Sequence, residues 1–234
     1  MSIDDAVARW SPSLDPNYGS WALTDLIGGV GNFTLPANDK WATDGTLKHL
    51  GFGGSFGNWT TFRVNGPVQS RLQSFTFSYW SNVGGGIHYS MLSRSSTTWN
   101  GWYANRSVAN NVFENQFGSL APVGFPVFSG WRQMVLRQLA GTFVVYSVNG
   151  LHHNPSTTIS NIVSGQKIQL ALGASVRQNG NADNFFAGLL DDVIFWDRYL
   201  SDDEIVALYQ VGRAGNLSIT TQTRRRRELS GAGL

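Results

Sequence analysis

Residues 188–212 read GLLDDVIFWDRYLSDDEIVALYQVG, and they hold five aspartates and one glutamate of the chain's 15 acidic residues. Such a concentration of carboxylates is a catalytic centre, a metal site or the local punctuation of a fold. Val193 to Trp196 are apolar at consecutive positions, which suits a central strand buried on both faces. Ser201-Asp202-Asp203-Glu204 is a capping box. The Ser201 side chain accepts from the first turn, and Glu204 reaches back to the cap. Asp202 and Asp203 lie at the positive end of the helix dipole. Ile205, Leu208 and Tyr209 then form an apolar stripe, and Gly212 is a stop signal, so a short helix is expected over about 202–210.

Outward from this stretch the pattern is strands and turns. SFTFSYWS (74–81) alternates Phe75, Phe77 and Tyr79 with Thr76, Ser78 and Trp80. KIQLALGA (167–174) is a second strand. WRQMVLRQL (131–139) and GTFVVYSVNG (141–150) pair as a hairpin across Ala140-Gly141. Asn149-Gly150 suits a tight turn because both positions tolerate positive φ. The fold class is therefore all-β: a two-sheet antiparallel sandwich with one short C-terminal helix. One domain is expected over 1–212. Residues 213–234 form a polar, Arg-rich extension.

Composition narrows the function. The 234 residues include 27 Gly and 9 Trp but no Cys, and only 14% are charged. Disulfides, thiolate metal sites and a cysteine nucleophile are excluded. The formal charge is +2, and much of the basic excess sits at Arg224–Arg227. A general nucleic-acid surface is not expected. MSIDDAVARWSPSL has neither a basic n-region nor an apolar core, and no apolar run approaches the ~20 residues of a membrane helix. The expectation is no membrane association and assembly in the cytoplasm.

The strand–helix stretch from Gly188 to Ile205 resembles the closing motif of laminin-G-like, concanavalin A-like jelly rolls. ARW (8–10), LTDLIGGVGNFTL (23–35), LGFGGSFGNW (50–59), FTFSYW (75–80), Trp131 and VYSVNGL (145–151) follow in the family's order. The resemblance implies a jelly roll of two curved sheets. Similar domains include lectins, calcium-dependent adhesion modules, glycanases and virion proteins, and fold alone does not choose among them.

Glycanases on such a scaffold need two carboxylates about 5 Å apart. Only Glu114, Glu204 and Glu228 are glutamates, and none has an acid at suitable strand spacing. His49, His88, His152 and His153 show no metalloprotease spacing, and His152 and His153 read as a solvated hairpin end. No catalytic residue is assigned, and the chain is read as a non-enzyme. Asp191 and Asp192 are adjacent in a strand and should point to opposite faces. One would accept local hydrogen bonds and the other would meet solvent or Arg198. The resemblance leaves a calcium role open for Asp191, with Asp25 as a further candidate ligand or an Asx-type turn residue. No cofactor is required, with calcium the alternative.

Trp99, Trp102 and Tyr103 in SRSSTTWNGWYANRS (93–107), with Trp59, are candidate sugar-stacking groups. Packing within a strand and its loops is the competing reading. Arg224, Arg225, Arg226 and Arg227 form either a solvated charge run or a docking segment. Cellular modules of this family are generally exported, so a chain without an export signal suits a phage particle released by lysis. The leading expectation is a virion structural component, a capsid decoration or tail-associated protein. It would be a homo-oligomer contacting other virion proteins, with cell-surface glycans as its outward ligand. The alternative is a carbohydrate-binding module or lectin, and a glycanase ranks last.

Overall fold

The computed structural model describes residues 5–35, 41–44, 47–53, 60–63, 74–82, 86–93, 101–107, 112–117, 123–126, 130–139, 143–157, 168–173, 175–176, 182–183 and 186–212. In chain order the strands are β1 (Ala8–Trp10), β2 (Ala22–Leu23), β3 (Phe33–Thr34), β4 (Trp41–Asp44), β5 (Leu47–Gly53) and β6 (Thr60–Arg63). They continue with β7 (Phe75–Asn82), β8 (Gly86–Ser93), β9 (Gly101–Ser107), β10 (Val112–Phe117), β11 (Val123–Pro126) and β12 (Trp131–Leu139). The last are β13 (Phe143–Val148), β14 (Leu151–Thr157), β15 (Ile168–Leu172), β16 (Ser175–Val176), β17 (Ala182–Asp183) and β18 (Ala187–Trp196), followed by the helix α1 (Asp202–Val211).

Two antiparallel sheets carry the fold. The first runs β14-β13-β12-β7-β18-β5-β4, with β1 also paired to β18. The second runs β11-β10-β9-β8-β15-β6-β3-β2. This is the all-β sandwich with one described helix expected from the sequence. The apolar run of β18, Val193–Trp196, lies between β7 and β1, while β5 pairs with its first half, Ala187–Leu190.

The faces of the first sheet follow from register. Trp10 pairs with Val193, and its ring meets Phe33 of the second sheet edge-on, with centroids 4.9 Å apart. Val193 and Phe195 therefore face the second sheet, and so does Phe77, which pairs with Phe195. Ile194 and Trp196 face the other way and close a second core with Ala6, Val135, Leu200, Ile205 and Leu208. The middle of the first sheet is thus buried on both sides, by the second sheet and by α1. This explains why β7 is buried at Thr76 and Ser78 as well as at Phe75 and Phe77.

Local chemistry sets the ends of α1. Ser201 Oγ accepts from Glu204 N at 3.3 Å, and Glu204 Oε2 accepts from Ser201 N at 2.7 Å. Gly212 ends the helix at φ 74°, its N–H donating to Tyr209 O. Arg137 of β12 anchors the start by donating to Leu200 O at 2.8 Å and Asp202 Oδ1 at 2.7 Å. Asn149 and Gly150 take φ 51° and 76° and join β13 to β14. His152 and His153 lie at the start of β14, just past this turn, paired with Ser147 and Tyr146. Among the described residues no helix is long and apolar enough to cross a membrane.

Candidate functional site

The acids of β18 are not arranged as simple strand alternation predicts. The pairing of β18 with β7 shifts between Asp191 and Ile194, and Asp192 takes φ 43°. This bulge inserts one residue and changes where the carboxylates go. Asp191 and Asp192 are both buried, so neither faces solvent. Nor does Arg198 take either of them. Asp192 is held by Arg9 through Nε–Oδ1 at 2.8 Å and Nη2–Oδ2 at 3.2 Å. Arg198 is instead engaged with Asp5 and Glu204.

Asp191 lies beside His49, with Nδ1–Oδ2 at 3.5 Å and both side chains fully buried. Its Oδ1 accepts from Asp192 N at 2.8 Å, while Oδ2 and both His49 ring nitrogens lack a hydrogen-bond partner. The His49 ring packs on Trp131 at 4.6 Å between centroids. Burial raises the Asp191 carboxyl above the usual aspartate range, with the His49 contact working in the opposite direction.

Asp25 is the hub of a turn. Its Oδ1 accepts from Arg9 N and Ile27 N, each at 3.1 Å, and its Oδ2 accepts from Val30 N and Gly31 N, each at 2.9 Å. Calcium requires several oxygens turned toward one point. As placed, Asp25 faces N–H donors and Asp191 faces an imidazole, so this donor set does not fit the ion. Among the described residues no group of three or more His, Asp or Glu side chains is placed to hold a metal.

The candidate aromatics divide differently. Trp102 and Tyr103 are in β9, where they pair with Phe117 and Gln116 of β10. Their side chains lie outside the described residues, as do Trp59, Trp99 and Arg224, Arg225, Arg226 and Arg227 in full.

A different aromatic surface is built on DPNYGSWALTD, residues 15–25. The buried Asp15 closes this loop: Oδ1 accepts from Asn17 N at 2.7 Å and Thr24 Oγ1 at 2.8 Å, and Oδ2 from Thr24 N at 2.7 Å. The loop presents Tyr18 against Trp41 of β4, ring centroids 4.6 Å apart and planes tilted by 57°. Both polar tips are engaged. Tyr18 OH donates to Ala42 O at 3.2 Å, and Trp41 Nε1 donates to Ser20 O at 2.8 Å. The next residue, Trp21, is 60% exposed, although its backbone oxygen is fixed by Leu35 N at 2.8 Å. Lys48 of β5 places Nζ 4.3 Å from the Tyr18 ring centroid.

With their polar tips engaged, the half-buried Tyr18 and Trp41 are fixed in place, and Trp21 in the same loop is exposed. The sequence signal was two aromatics in a turn-rich run, Pro16-Asn17-Tyr18-Gly19-Ser20-Trp21. Their partners Trp41 and Lys48 are distant in the chain, so the surface exists only once the sheets form.

No family model matches this chain, and no curated protein matches it. Solved structures do resemble it. Domain 4 of AbnA, a GH43 extracellular arabinanase from Geobacillus stearothermophilus solved with arabinotriose, superposes with a TM-score of 0.63 at 15% identity, over 88% of this chain and 98% of that one. Trypanosoma rangeli sialidase in complex with sialic acid gives a TM-score of 0.66 at 14% identity, over 88% of this chain. The match spans 33% of the sialidase, so this chain corresponds in length to about a third of it. These likenesses establish the β-sandwich fold.

Proposed function

We propose that this chain is a non-catalytic glycan-binding β-sandwich module whose contact surface is formed by Tyr18, Trp21 and Trp41. The observation that carries this reading is Trp21, a large aromatic left 60% exposed on a loop cross-linked by Asp15. Sugars present C–H faces that stack on aromatic rings, and a fixed ring loses little side-chain freedom on binding. The likeness to an arabinanase domain solved with arabinotriose supports this direction. A non-catalytic role is supported by the engaged acids: Asp192 is paired with Arg9, Asp25 with backbone donors and Glu204 with Arg198 and the α1 cap.

No observation among the described residues favours a virion role over glycan binding.

The test is affinity electrophoresis of the full chain through gels containing arabinan, β-glucan or pectin. At least one polysaccharide should retard the parent protein. Trp21→Ala should remove most of that retardation and leave the melting temperature within about a degree, since an exposed ring contributes little to stability. Retardation unchanged in both Trp21→Ala and Tyr18→Ala would place binding elsewhere. No retardation by any polysaccharide would defeat the reading.

A further inference from the structure

We infer that the aromatic surface is selective for carboxylated sugars, with Lys48 as the residue that recognises the anionic group. This rests on the glycan-binding reading above and adds the ligand's charge class. Arg9, Arg137 and Arg198 each make an ion pair with a carboxylate: Asp192, Asp202, and Asp5 with Glu204. Lys48 makes no ion pair with a described residue, and its ammonium lies over the Tyr18 ring.

The backbone of Lys48 is also fixed. Its backbone oxygen accepts from Ser13 Oγ at 2.9 Å, and its backbone pairs across to Thr43 of β4. Trp41 lies two residues before Thr43 on the same strand. By the period of two, they project from one face. Lys48 therefore shares the sheet face of Trp41, and its ammonium lies over the Tyr18 ring that packs against Trp41. A sugar stacked on the adjacent Trp41 ring would bring an equatorial substituent toward the ammonium. A neutral ring gains the stacking alone, whereas a uronic-acid ring gains an ion pair as well.

De-esterified homogalacturonan and its fully methyl-esterified form share one backbone and differ in charge, so they isolate the effect. Affinity electrophoresis of the full chain should show retardation by the acidic form about fivefold stronger than by the ester, as one partly exposed ion pair allows. That preference should fall as salt is raised. Lys48→Gln should reduce binding of the acidic form to the level of the ester, and Lys48→Arg should restore most of it. Melting curves for both variants establish that each is folded. Equal retardation by the two forms, or a preference unchanged in folded Lys48→Gln, overturns the inference. Retardation by arabinan with none by acidic homogalacturonan overturns it too, but leaves the glycan-binding reading standing. If no polysaccharide retards the chain, both fall.

Discussion

Asp192 shows how one backbone conformation redirects a pair of charges. At φ 43° it occupies the left-handed region, which Asp tolerates better than a β-branched residue would. The bulge lets its carboxylate reach Arg9, while Arg9 N donates to Asp25. Both ionic side chains are almost fully buried. Removing one partner leaves an uncompensated charge, so Arg9→Met should cost about 3–5 kcal/mol in urea unfolding. The double variant Arg9→Met/Asp192→Asn should lose less than Arg9→Met alone. A double variant at least as unstable would mean that Arg9 acts by packing rather than by pairing. Asp191 behaves in the opposite sense from a salt-bridged acid. Its folded pKa is raised by burial, so its favourable contribution is present below the ordinary value of 3.8 and is lost as pH rises through the folded value. Asp191→Asn should flatten that part of the stability–pH curve. An unchanged curve would show that the carboxylate is solvated.

At the scale of elements, α1 and the β13–β14 turn make separable contributions. Arg198 holds the Glu204 carboxyl down at about 2, helped by the Ser201 backbone donor. A depressed acid stabilises the fold above its unfolded pKa, near 4.5, and that contribution is lost as pH falls through about 2. Glu204→Gln should therefore flatten the melting-temperature curve between these values and change it little at neutral pH relative to its own plateau. Ser201→Ala removes the other half of the capping box and should cost about 1 kcal/mol at neutral pH. A loss below a few tenths would mean that Arg137 alone fixes the helix start. Gly150 is constrained twice. It sits at φ 76°, and an added Cβ would lie 3.2 Å from the Tyr209 Cβ. Gly150→Ala should lower the melting temperature, and an unaltered one would show that Tyr209 yields freely, as its stacking on Trp80 at 6.0 Å does not suggest.

For the whole molecule, the sandwich class, the hairpin and the capped helix were legible because each depends on neighbours in sequence. Period-two alternation marked β7, Asn149-Gly150 marked a turn, and Ser201 with Glu204 marked a helix start. The site was less legible because its parts are far apart in the chain. Nothing local in residues 15–25 indicates that Trp41 and Lys48 will meet Tyr18. Strand alternation also misplaced Asp192, since a bulge has no sequence mark comparable to a turn. Trp10 is where the local and the distant meet. It is fully buried on β1 of the first sheet, packs on Phe33 of the second, and donates from Nε1 to Gly31 O at 2.8 Å. Gly31 N in turn donates to Asp25, so the indole ties the seam between the sheets to the Asp25 turn. Trp10→Ala should cost about 3–5 kcal/mol through the lost burial and the cavity left behind. If the two sheets unfold as one unit, the urea midpoint should fall with the slope unchanged. A separate early transition would instead show that Trp10 is what couples the sheets, and that each can open without the other.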